Sequence, residues 1–118
     1  MMNNYELKIR LESLKGESEL KNAVIEIALN NIDDYDNGVD YFEDIINHGC
    51  ASGIVSELIY YYQTEEFFNK HANEIFDLYN DLVEEFGQID MELSKNNLAW
   101  LAFEETLKNI AYDLDIEI

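Results

Sequence analysis

Apolar residues recur at helical intervals in one segment after another. Over residues 18–32, Leu20, Val24, Ile27 and the Ala28, Leu29, Ile32 group fall three and four apart, which predicts an amphipathic helix capped by Ser18. Residues 33–38 are a polar break. Residues 39–48 predict the next helix, with Phe42, Ile45 and Ile46 inward. His48 falls in its last turn, where the negative helix end favours a cation, and Gly49 suits the position just past it. Ser52 opens a helix over residues 53–62 through Ile54, Leu58, Ile59, Tyr61 and Tyr62. Thr64 caps a fifth, with Glu65 and Glu66 in its first turn. Phe68, His71, Ala72, Ile75, Leu78, Tyr79, Leu82 and Phe86 carry its stripe as far as Gly87. Residues 95–113 predict the last helix. Its stretch 98–103 is apolar all round, the pattern of a central buried element.

Residues 5–14 fit two periods. Tyr5, Leu7, Ile9 and Leu11 alternate with charged residues as in a strand, whereas Leu7, Leu11 and Leu14 fit a helix stripe. A short helix ending near Gly16 is the better reading. A lone strand would have no partner except the alternating tail of Leu114, Ile116 and Ile118. The expectation is an all-α compact bundle of about five to six helices. It forms a single domain over residues 1–118, with residues 1–17 as a separate arm.

Composition supports a packed domain. The chain has 118 residues, 47% of them hydrophobic, enough for a core and too many for a disordered acidic tail. Pro is absent and Gly occurs five times, so no linker stands out. Cys50 is the sole cysteine, which rules out an internal disulfide and suits a reducing cytoplasm. No apolar run approaches the ~18 residues of a membrane helix, and the N-terminus lacks the apolar core of a secretion signal. A cytoplasmic protein is expected.

Charge changes the picture most. The net charge is −19. The first 21 residues hold four acids and four bases, and the other 97 hold 22 acids against Lys70, Lys95 and Lys108. No Lys or Arg occurs between Asn22 and Asn69. Such a field repels nucleic acid and anionic membranes and attracts basic protein surfaces. Two segments are densest. One is Asp33, Asp34, Asp36, Asp40, Glu43 and Asp44. The other is Asp77, Asp81, Glu84 and Glu85, whose spacing makes one anionic helix stripe.

Other constellations favour structure over chemistry. His48 and Cys50 could form a thiolate pair, but they flank a helix-ending glycine and lack an orienting third group. His71 and Glu74 lie three apart on one helix face, yet zinc needs further ligands and His48 is the only other histidine. Asp33, Asn37, Gly38 and Asp44 match parts of a calcium loop. Tyr35, Asp40 and the Asp at the final position break the pattern, so an acidic interhelical loop is the better reading. Tyr60, Tyr61, Tyr62, Phe67 and Phe68 could stack bases, but no cation lies beside them to meet phosphates, and core packing is the default. Adjacent acids such as Glu84-Glu85 and Glu104-Glu105 diverge on a helix and do not form an acid–base pair. Phosphate-binding and serine-hydrolase motifs are missing from the sequence. An enzyme is not expected, nor is a cofactor or a metal.

Three motifs carry a family resemblance: His48-Gly49-Cys50-Ala51-Ser52-Gly53; Leu58-Ile59-Tyr60-Tyr61 with Thr64; and the run from Leu98 to Thr106 that contains Trp100, Phe103, Glu104 and Glu105. Over roughly residues 20–112 the chain resembles small uncharacterised proteins of phages and other mobile elements of gut Firmicutes and Bacteroidetes. The resemblance implies a genomic context and no catalytic residue. In that context, small acidic DNA-mimic inhibitors of restriction and CRISPR systems are similar in size and charge.

The leading expectation is therefore an acidic binding protein. Its two acidic patches would occupy the basic groove of a nuclease or another nucleic-acid-binding protein, with an aromatic anchor from the Tyr60 to Phe68 region. The alternative is a structural or regulatory helical domain that binds a protein, or itself, through apolar surface. An enzyme built on His48 and Cys50 is a distant third.

Overall fold

The computed structural model describes residues 2–48, 64–89 and 92–116. Among them are five α-helices: α1 Asn4–Ser13, α2 Glu19–Asn31, α3 Val39–His48, α4 Thr64–Phe86 and α5 Lys95–Asp113. A 3-10 turn, Ile32–Asp34, leads out of α2. No strand occurs among the described residues, so residues 5–14 settle as helix. The helix expected over residues 53–62, with Ser52, Cys50 and Tyr60 to Tyr62, lies outside the described residues.

Local chemistry sets the helix ends. Asn3 Oδ1 accepts from the Glu6 N–H at 2.8 Å, Ser18 Oγ from Lys21 at 3.1 Å and Ser94 Oγ from Asn97 at 3.1 Å. Each satisfies an amide that has no partner inside its helix. Gly87 ends α4 with φ +79°, a conformation glycine adopts without a Cβ penalty. α5 ends differently. The Ile116 N–H reaches Ala111 O at 2.9 Å and the Asp115 N–H reaches Tyr112 O at 3.1 Å. This is a Schellman closure with Asp115, at φ +57°, where glycine is usual.

The core sits around α5, which packs against α2, α3 and α4. Its Leu98, Ala99, Ala102, Phe103, Leu107, Ile110 and Ala111 are all buried, as its all-round apolar stretch predicts. Each large side chain among them contributes about 1.5–3 kcal/mol of transfer free energy. Phe42 and Ile45 of α3 and Ile75 of α4 close the core from other sides. The radius of gyration is 13.8 Å and the extents are 38 × 26 × 24 Å.

The N-terminal segment is part of this core. Leu7 and Leu11 are fully buried. Asn4 bonds the α2–α3 connection twice, donating to Tyr35 O at 3.2 Å and accepting from the Gly38 N–H at 2.7 Å. Gly38 is needed for that approach, since a Cβ there would meet Ile32 Cγ2 and Asn4 Oδ1. Asn22 clamps the α1–α2 turn by exchanging hydrogen bonds with the Gly16 backbone at 3.0 and 2.9 Å. Residues 2–17 therefore pack into the common core and form no separate arm. Their apolar stripe is long enough to be drawn into the common core.

Candidate functional site

The N-terminal bases do not neutralise only their own segment. Lys8 pairs with Asp33, Lys15 with Glu26 as well as Glu12, and Lys21 with Asp113 at 3.3 Å. A charge balance counted along the chain is thus not the balance in space. The acids left without an ion pair within the two dense segments, 33–44 and 77–85, form the candidate surface.

In the first patch, Asp33, Asp34, Asp36, Asp40 and Glu43 are exposed and Asp44 is half-buried. Asp33 is held by Lys8. Asp44 accepts from the Tyr35 hydroxyl, and burial together with that bond and nearby acids pushes the Tyr35 pKa up to about 12. Asp34, Asp36, Asp40 and Glu43 make no ion pair among the described residues. The loop is not arranged around a cation: its Gly38 amide binds Asn4, while Asp33 and Asp44 have protein partners.

In the second patch, Asp77, Asp81, Glu84 and Glu85 are all exposed on α4, and none has an ion pair among the described residues. Asp77 and Asp81 line a groove of about 360 Å³ between the start of α2, α4 and α5. Leu20 and Leu78 supply apolar wall, and Thr106 contributes from α5. Sequence periodicity finds the acidic stripe but not the groove, which depends on how α2 and α5 pack beside it.

Glu74, one turn before Asp77, has a different role. It accepts from the Ser18 hydroxyl and from the Leu20 N–H at 3.2 Å, so it closes the N-terminus of α2. It is therefore engaged away from any His71 pair. His71 is 5% exposed and interrupts α4 with non-helical backbone angles, φ −117° and ψ 20°. Its Nδ1 is buried without a hydrogen bond, and its ring lies 5.1 Å from that of Phe67. Burial, reinforced by Lys70, lowers its pKa below 6.5 against the opposing pull of Glu74 and Glu19. No group of three or more His, Cys, Asp or Glu among the described residues is placed to hold a metal ion.

Of the expected aromatic anchor, Phe67 and Phe68 are buried, and Phe68 packs edge-on against Phe76 at 5.6 Å. No helix among the described residues is long and apolar enough to cross a membrane.

A family model described as "Domain of unknown function (DUF7222)" matches residues 17–116. No curated protein and no solved structure matches the chain.

Proposed function

The chain belongs to the DUF7222 family, and we propose that it is an acidic protein-binding module that engages a basic protein surface. One observation carries this reading. Eight exposed carboxylates, Asp34, Asp36, Asp40, Glu43, Asp77, Asp81, Glu84 and Glu85, lack an ion pair among the described residues. Holding so many like charges on one small domain costs stability through self-repulsion. A basic partner offsets that cost on binding and is steered toward the patches.

The partner class we propose is a nucleic-acid-handling protein. Nineteen net charges over a 38 Å long axis give about one per 2 Å, close to the one per ~1.7 Å of duplex DNA. The motif resemblance to mobile-element proteins points, within that class, to a host defence nuclease. The module acts by occupying a groove, and we assign it no reaction. The test is retention of purified basic DNA-binding proteins on the immobilised domain. Retention should weaken steeply with salt and be displaced by duplex DNA. Retention that DNA does not displace would contradict the mimic.

A second reading has its own observation. Tyr5 and Ile9, one turn apart on α1, are 73% and 53% exposed, an apolar strip suited to association with a protein or with a second copy. Concentration-dependent sedimentation that Tyr5→Ser and Ile9→Ser abolish would favour it.

A further inference from the structure

Helix α4 is interrupted at His71, whose backbone angles of φ −117° and ψ 20° are not helical. Sharp breaks usually follow proline or glycine, and α4 contains neither. The side chain at the break is only 5% exposed, and its Nδ1 is buried without a hydrogen bond to any described residue. Beside it opens a polar cleft of about 320 Å³, lined by Glu19, Asn69, Lys70, Asn73 and Glu74. The stretch before the break, residues 64–70, is anchored by Phe67 and Phe68, both buried. The Phe67 ring lies 5.1 Å from that of His71, and Phe68 meets Phe76 across the break at 5.6 Å. Lys95 of α5 pairs with Glu65 at 3.5 Å and sits 5.9 Å from the centre of the Phe68 ring. An exposed pair of that kind holds weakly.

We propose that His71 is an acid-operated latch: protonation drives its ring out of the core into the cleft, and the break lets residues 64–70 swing away with it and bare Phe67 and Phe68. The device is independent of the reading of the chain as a module for basic surfaces. In the closed form a neutral imidazole leaves Nδ1 unpaired, a modest cost. An imidazolium donates from both nitrogens, and a buried cation with an unmet donor costs far more. The charged groups that act on the ring are Lys70 and Glu74 on α4 and Glu19 on α2. Lys70 repels the cation in either position. Glu74 and Glu19 attract it, and both line the cleft. From α5, Lys95 approaches the same stretch of α4 but is paired with Glu65. Burial, then Lys70, keep the closed-form pKa below the 6.5 of a free imidazole. The proton therefore binds the open form better and shifts the population toward it on acidification. Above that value the latch is shut.

The test is amide hydrogen exchange on the full chain at neutral pH and at about pH 5.5, with rates converted to protection factors so that the pH dependence of exchange itself cancels. Acidification should lower protection at residues 68–70 several-fold, at most about eightfold, the limit for one group whose open-form pKa is 6.5. Residues 98–111 of α5 should keep theirs. His71→Leu fills the same site without a charge and should flatten the response at 68–70. His71→Gln, polar but unable to titrate in this range, should flatten it as well, so the outcome does not hang on one replacement being tolerated. The latch is overturned if protection at 68–70 is unchanged on acidification in the parent, if it falls only in step with α5, or if either folded variant keeps the parent's pH response.

Discussion

The Glu74 carboxylate on α4 closes the N-terminus of α2 through the Ser18 hydroxyl, a residue 56 positions earlier in the chain. The same carboxylate also takes the Leu20 amide. Ser18 alone is an ordinary cap. Glu74 adds a negative charge where the helix dipole is positive and fixes α4 against α2. Glu74→Ala should destabilise the fold by about 1–2 kcal/mol, the range for a lost cap with charge-assisted hydrogen bonds. Glu74→Gln should recover part of that loss. Urea unfolding followed through Trp100, the sole tryptophan, reads both.

Gly38 should not tolerate a side chain. A Cβ there collides with Ile32 and displaces the Asn4 side chain that holds α1 to the α2–α3 connection. Gly38→Ala should cost about 1–3 kcal/mol by overpacking. Hydrogen exchange should show α1 opening more often while α5 stays protected.

Asp115 should be improvable. It occupies a left-handed conformation, φ +57°, and places a negative charge beside the negative end of α5. Asp115→Gly keeps the Schellman closure and removes both penalties. It should stabilise the protein by about 1 kcal/mol, seen as a higher urea midpoint with an unchanged slope.

His71 gives stability a pH dependence of known sign. Burial holds its folded pKa below the unfolded 6.5, with Lys70 adding to the shift and Glu74 and Glu19 opposing it. Below that pH the unfolded chain binds a proton that the folded chain refuses. Stability from this group is full above the unfolded value and falls as pH drops through it, by at most about 1.4 kcal/mol per pH unit. Neutralising the surface acids acts in the opposite direction on the whole protein. The informative quantity is therefore the difference between parent and His71→Leu. That difference should move in favour of the variant on acidification from neutral pH and stay flat above it.

Helices were legible because their signals are local. Ser18 and Gly87 mark ends, and the all-round apolar stretch in α5 marks the centre, whereas the Ser94 cap emerged only from the structure. Placement was not legible for groups whose partners are distant in sequence. Nothing near Asp33 indicates that Lys8 will pair with it, and nothing near Glu74 indicates Ser18. For the same reason the first segment, neutral by count, read as an arm, although its lysines reach acids on α2 and the following turn. The α4 stripe was visible in the spacing of Asp77 and Asp81. Its groove and Thr106 emerged only from the packing of α2 and α5 beside it.

The proposed binding surface depends on the placement of the carboxylates in the two patches, beyond the total charge. The direct measurement compares two variants of equal net charge. One neutralises Asp77, Asp81, Glu84 and Glu85. The other neutralises Glu6, Glu12, Glu66 and Glu92, which are also exposed but lie outside both patches. Dissociation constants are measured at one salt concentration against a basic DNA-binding protein that the parent retains and duplex DNA displaces. Roughly tenfold weaker binding is expected for the first variant, about 1.4 kcal/mol, with little change for the second. Equal weakening in both would contradict it and leave only diffuse charge.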